Sequence, residues 1–434
     1  MFLYLRDMNY KKMNNNDNLL IFLLAIVIAI IRFPPFYFLF IKNSVLISYN
    51  LGRLILLILF VYLLIKNRLF KMQKKLLIVI LFYFLSISLS IISASNISAF
   101  LSVYKDIISS MVIFFITFSI VNKKSIYTII KVLLITFIIN LIFQSIVYFV
   151  PSIAKTYFFP ILYDKYIHFY EFLANRGRFF GESFDEVLIP FVFIFLIQNK
   201  RLINKIIYSI YLSLMVFITV ISSWRTKTLM LIFAMMNSTL LFLPQIKRYL
   251  GVFTILFLLS IFLSDKLSLK ISGFNIYDRI FLEEPSNPTI ISRLNYWKEA
   301  TEIGLSTPIT GVGLGNFYDY LSNKSKAGRL RVFSINNIET MVIDDPHNIF
   351  FSTFANTGFL GLISFVILII FFLITDLQVL GKQILYLKGA LIAFWALFIF
   401  SLLNPAMYYS YLLFFWLLRG IIEKLKYNFF KKYD

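Results

Sequence analysis

A histidine stands directly before a long apolar run in Asp344-Asp345-Pro346-His347-Asn348, and it is the first candidate for chemistry. The positive end of the helix that follows disfavours an imidazolium. The ring therefore stays neutral, as a general base or hydrogen-bond partner requires. Either Asp344 or Asp345 could oppose that effect or orient the ring. The plainer alternative is a residue that only caps the helix. The other histidine, His168, has no comparable setting.

Arginines supply the next candidates, because a planar guanidinium matches phosphate oxygens in pairs. Arg178 lies in Asn175-Arg176-Gly177-Arg178-Phe179-Phe180-Gly181-Glu182-Ser183, ahead of an expected helix start capped by Ser183. Backbone amides there suit an anion, while Asp185 and Glu186 in the first turn compete with it; an ordinary interfacial turn is the alternative. Arg225 closes Ser222-Ser223-Trp224-Arg225 and is followed by Thr226-Lys227. Arg293 precedes Trp297 by one helical turn in an amphipathic stretch whose Ile290, Leu294, Trp297 and Ile303 keep helical spacing. Alone, that stretch reads as a helix on a membrane surface with a solvated arginine. Beyond it comes Gly311-Val312-Gly313-Leu314-Gly315-Asn316-Phe317, where alternating glycines call for positive φ or close backbone approach. The spacing is not the dinucleotide fingerprint. Either a nest of amides around an anion or a simple loop return fits.

The elements that position these residues are membrane helices. The 434-residue chain is 60% apolar and only 15% charged, with mean hydropathy +0.83. Repeated apolar runs make it an all-α polytopic membrane protein. They fall at residues 19–40, 51–65, 76–93, 107–121, 126–150, 183–198, 206–221, 228–243, 252–263, 349–375, 384–403 and 408–418, about twelve helices. The net charge of +21 sits between these runs, where it sorts topology and gives no reason to expect nucleic acid. With no cysteine, disulfides, thiol nucleophiles and zinc-thiolate sites are excluded.

Basic residues mark alternate short loops: Lys66 to Lys75, Lys123 and Lys124, Lys200 to Lys205, Lys247 and Arg248, and Lys382. The positive-inside rule then puts both termini in the cytoplasm and residues 151–182 and 265–347 outside. Those two segments with Asp185 and Glu186 hold 15 of the 21 acids. The expected organisation is a cytoplasmic start (1–18), a first bundle (19–264), an external loop (265–347), a second bundle (348–420) and a basic cytoplasmic tail (421–434). Arg225 and Lys227 break the charge rule by falling in an outer loop. Either the helix boundary lies a few residues away, or this is an anion site.

In combination these residues resemble the O-antigen ligase and polymerase superfamily of bacterial membrane glycan transferases. The pattern is Ser222-Ser223-Trp224-Arg225, then Arg293 and Trp297, then Pro308 through Phe317, then Pro346-His347-Asn348 leading to Gly358-Phe359-Leu360-Gly361. It covers roughly residues 179–365. Where the family often has Ser-Arg-Gly, this chain has Trp224-Arg225-Thr226. The resemblance implies a GT-C-like helical architecture in the bacterial inner membrane, and an outward-facing transfer of a glycan from undecaprenyl diphosphate to an acceptor hydroxyl on a glycan or lipid. It implies diphosphate-binding roles for Arg225 and Arg293, with Arg178 a weaker candidate, and an acceptor-activating or positioning role for His347. Trp297, Gly313, Gly315 and Asn348 join them as substrate-binding candidates. No cofactor is expected and no metal, since the chain has no Asp-x-Asp pair of the nucleotide-sugar type. A ligase-type enzyme is the leading reading. A repeat-unit polymerase of the same superfamily is the alternative, and a polysaccharide transporter or flippase the second; almost no acids interrupt the spans, which favours surface chemistry over transport.

Overall fold

A computed structural model describes residues 15–32, 44–66, 72–149, 184–221, 225–246, 288–324, 332–335, 338–341, 345–382, 384–404 and 409–431, with a few helical residues between 255 and 266. His168, Arg178 and Asp344, residues 222–224, the loop 151–182 and most of 265–287 lie outside the described residues.

Helices account for nearly all of what is described. They are α1 (Asn15–Arg32), α2 (Ser44–Ile65), α3 (Lys74–Leu89), α4 (Ile97–Ile120), α5 (Lys123–Phe149), α6 (Ile189–Gln198) and α7 (Leu202–Ile221). After them come α8 (Arg225–Ile246), α9 (Pro288–Ser306), α10 (Phe317–Lys324), α11 (Ile349–Leu380), α12 (Leu385–Ser401) and α13 (Tyr409–Phe430). Two short strands, β1 (Val332–Ile335) and β2 (Ile338–Met341), pair antiparallel between α10 and α11. Apolar sequence in a bilayer must satisfy its backbone internally, which is why these runs are helical.

Among the described residues, five helical stretches are long and apolar enough to cross a membrane: Lys74–Ser93, Ile97–Ile120, Lys124–Ile142, Leu202–Val220 and Ile349–Leu380. Three shorter apolar stretches are Leu19–Ala29, Asn50–Ile65 and Leu385–Ser401. The run expected to span at 183–198 is divided. A 3-10 turn, Asp185–Leu188, leads into the ten residues of α6. At 1.5 Å per residue that helix covers about 15 Å, half of a hydrocarbon core. Its residues Ile189 to Leu196 are all buried.

The chain's last helix runs beyond its apolar stretch. Arg419, Glu423 and Lys426 recur at helical spacing along α13 and are neutralised inside the bundle. Arg419 is 0% exposed; its Nη1 donates to Asp376 Oδ2 at 2.9 Å, and it pairs with Glu423 one turn on. Lys426 pairs with Asp376 and Glu423, and the Trp395 indole donates to Asp376 at 2.9 Å. The guanidinium also lies 3.8 Å from the centre of the Phe372 ring. These partners let charged turns continue the packing, where the sequence reading expected a tail.

α13 lies along α4, close enough that a Cβ on Gly420 would stand 2.9 Å from Phe114 O. Small residues at such crossings let helix backbones approach. α11 packs on α3 and α9, and α12 on α6, α8 and α13.

Candidate active site

Asn348 is the cap of α11. Its side-chain oxygen accepts from Phe350 N at 2.9 Å and Phe351 N at 3.2 Å, satisfying two amides that the first helical turn leaves open. Its Nδ2 donates to Leu402 O at 2.8 Å, tying the start of α11 to the end of α12. His347 comes next, with φ of 57°, the sole non-glycine residue at positive φ among the described residues. That conformation costs about 1–2 kcal/mol for a residue with a Cβ, so its surroundings must impose it. Asp345 does so from both carboxylate oxygens. Oδ1 accepts from His347 N at 3.1 Å, and Oδ2 accepts from Ser352 Oγ at 2.6 Å. The sequence reading offered either aspartate for this ring; Asp345 is the one described, and it grips the histidine's backbone.

α9 supplies the opposite wall. Its Tyr296 ring lies nearly parallel to the imidazole, with centroids 6.4 Å apart. Trp297 stacks on Phe351 at 5.3 Å and 14°. Arg293, partly buried, falls on the same face as these rings, one turn earlier. The Trp297 indole N–H is buried and has no hydrogen-bond partner among the described residues.

Glycines fix how α9 meets α11. At Gly358 (φ 64°, ψ −164°) α11 breaks, which strands carbonyls before the break and amides after it. The segment from Pro308 to Gly313 replaces what is lost. Val312 N and Gly313 N donate to Ala355 O and Asn356 O, both at 3.0 Å. In return Phe359 N and Leu360 N donate to Pro308 O and Ile309 O, at 2.7 and 3.3 Å. A Cβ on Gly358 would lie 2.5 Å from Ile309 O, and one on Gly313 2.6 Å from Ala94 Cβ, so neither position has room for a side chain. Gly311, Gly313 and Gly315 all have the positive φ that the sequence pattern predicts. Of the two loop readings, the described hydrogen bonds make this a backbone splice across the break, and the Gly313 amide is used in it.

A second lock lies 220 residues away in sequence. Buried Asn316 accepts from Asn96 N at 2.6 Å and Ser95 Oγ at 3.1 Å, and Asn96 Nδ2 donates to Asp319 at 2.8 Å. α9, α10 and the start of α11 then share a small core of Ala300, Ile303, Val312, Phe317, Leu321 and Ala355.

The helix boundary at Arg225 differs from the expectation that placed this arginine in a loop. α8 begins there, so Arg225 and Lys227 occupy its first turn, with Lys227 4% exposed. Cations at a helix N-terminus oppose the macrodipole, and a compensating charge must stand nearby. The turn Asp185–Leu188 packs against α8 and α7 and brings two buried acids. Thr219, in the last turn of α7, donates to Glu186 Oε1 at 2.8 Å. Beside them Phe184 meets Phe400 edge-on at 5.0 Å, two residues before the Leu402 carbonyl that holds Asn348. The end of α12 thus links the Arg225 side to the His347 side.

The sequence candidates His347, Asn348, Arg293, Trp297 and Arg225 fall at this end of the bundle. Sequence reasoning missed Tyr296, Ser352, Asn316 and Asn96. For Tyr296 a signal existed: it is adjacent to Trp297 on a helix already chosen. The others are polar residues whose meaning lies in a distant partner.

Residues 187–366 match the family model described as O-antigen ligase. No curated protein matches the chain. The matched stretch runs from the turn carrying Glu186 past the break in α11 and includes Arg225, Arg293, the glycine splice and His347. Over this segment the chain is similar to the O-antigen ligase family.

Proposed function

We propose that this membrane protein moves a glycan from undecaprenyl diphosphate to an acceptor hydroxyl at the outer face of the bacterial inner membrane, as a ligase-type enzyme of cell-surface polysaccharide synthesis. The observation that carries the reading is the pairing of α9 with the start of α11. There an arginine-bearing helix faces a histidine held in a strained conformation by Asp345. Strain of that kind persists where the surroundings over-determine it, and it concentrates at functional sites.

In this reaction the acceptor oxygen attacks the anomeric carbon. The bond from that carbon to the diphosphate breaks, and its electron pair leaves with undecaprenyl diphosphate. His347 takes the acceptor's proton or holds the hydroxyl in line. Arg293 and Arg225 stabilise the charge that builds on the departing diphosphate, with Arg178 a further candidate and Asn348 setting the mouth of α11. Trp297 has an indole donor to spare for the glycan. No metal enters this scheme.

Glycan profiling of a deletion strain tests it. Loss of attached polysaccharide with full-length lipid-linked polymer accumulating is the expected outcome. Accumulation of single lipid-linked repeat units makes the protein a polymerase, which shares the donor chemistry and differs in acceptor. An unchanged glycan profile with altered solute export overturns both.

A further inference from the structure

Glu186 is 3% exposed, and it lies at the end of the bundle where Arg225 opens α8. One carboxylate oxygen, Oε1, accepts from Thr219 Oγ1 at 2.8 Å. The other, Oε2, is buried and has no hydrogen-bond partner among the described residues. A buried oxygen left without a donor is costly, and more so for a charged acceptor than for a neutral one. Asp345 shows what satisfaction looks like, using both its oxygens. Glu186 keeps one in reserve.

Charge decides what can come to it. An oxyanion is repelled, so the missing partner is a neutral or cationic donor. The proposed donor substrate carries a sugar joined directly to its diphosphate. With Arg225 on the phosphates, the next groups along that ligand are the ring hydroxyls beside the anomeric carbon. Carbohydrate sites commonly strengthen a hydrogen bond to a hydroxyl at that position as the bond to the leaving group breaks. Building on the glycan-transfer reading, we propose that Glu186 Oε2 accepts a hydrogen bond from a hydroxyl or amide N–H of the sugar attached to the diphosphate. Glu186 then reads the first sugar, while the arginines read the diphosphate. The same carboxylate explains how cations are tolerated at the start of α8.

The full chain in lipid nanodiscs is titrated with two probes: undecaprenyl diphosphate without sugar, and the glycan-bearing lipid extracted from a strain lacking this protein. Wild type is expected to bind the glycan-bearing lipid more tightly. E186Q preserves an acceptor for Thr219 but removes the free carboxylate oxygen. It is expected to lose about tenfold or more in affinity for the glycan-bearing lipid, with the sugar-free lipid unchanged. Equal weakening of both probes, or of neither, overturns the assignment and leaves Glu186 a partner of Thr219 alone. If E186Q fails to reach the membrane, Glu186→Asp reads the same ratio, since it keeps the charge and withdraws the oxygen by one methylene. Wild type that binds neither lipid overturns the glycan-transfer reading itself, an outcome distinct from loss of the preference in the variant.

Discussion

Asp345 holds His347 by the backbone: its Oδ1 accepts the histidine's N–H at 3.1 Å while its Oδ2 accepts the Ser352 hydroxyl at 2.6 Å. The carboxylate thereby bridges the left-handed residue to the first turns of α11. Position and strain come from the same contact, so the proposed role of His347 in transfer and its cost to the fold can be tested apart.

Substitution makes that separation measurable. His347→Ala keeps the left-handed strain and loses the imidazole; His347→Gly loses both. Both variants should be inactive in glycan transfer. The glycine variant should unfold at a higher temperature than the alanine variant, by the equivalent of about 1 kcal/mol. Equal melting temperatures in detergent would show that the histidine backbone carries no strain.

Asp345→Ala should reduce transfer at least about tenfold, because His347 is released from its imposed conformation. Ser352→Ala removes one arm of the bridge and should cost less. The measurement is transfer rate per folded molecule, compared with thermal stability. A rate drop fully matched by loss of folded protein would remove Asp345 from the site.

Gly313→Ala and Gly358→Ala test the splice. Each introduces a Cβ at positive φ, 2.6 Å from Ala94 Cβ in one case and 2.5 Å from Ile309 O in the other. Both should destabilise by well over about 1 kcal/mol. Gly381→Ala is the control, since nothing lies within 4 Å of its Cβ and its φ is −70°. Thermal unfolding of the three variants side by side checks the contrast.

Arg293, His347 and the glycine run could be singled out in the sequence by residue type and spacing, but their proposed roles came only with the family resemblance. Helix positions were legible from hydropathy, except where other forces intervened. α13 outran its apolar stretch because Asp376, from another helix, neutralises Arg419. The run at 183–198 was shortened by a turn that buries two acids beside α8. Asn348 was expected to bind substrate; its bond to Leu402 could not be read from the sequence, because a backbone carbonyl has no sequence signature. The pairing of Asn316 with Asn96 was hidden in the same way by separation along the chain.

The buried charges of α13 predict a purely structural phenotype. Asp376→Ala leaves Arg419 and Lys426 short of a counter-charge in a dry interior, a change that costs about 3–5 kcal/mol when one partner of a buried pair is removed. Asp376 lies 29 positions beyond His347, toward the other end of α11. The variant should therefore accumulate poorly and melt early, while transfer per folded molecule at permissive temperature stays near wild type. A specific loss of rate in well-folded protein would tie this cluster to the reaction.

Arg293 gives the sharpest test of the proposed chemistry, because charge and geometry can be varied apart. Arg293→Ala removes both and should abolish transfer while the protein remains in the membrane. Arg293→Lys keeps the positive charge but replaces a rigid fork with a point charge on a flexible stem. If the residue stabilises a departing diphosphate through paired hydrogen bonds, lysine should recover only a small part of the rate, with kcat affected more than KM. A helix that merely floated a solvated arginine at a membrane surface predicts the opposite: lysine would serve as well, and alanine would cost little. Steady-state transfer by the three proteins therefore decides whether α9 is part of the reaction or only part of the scaffold.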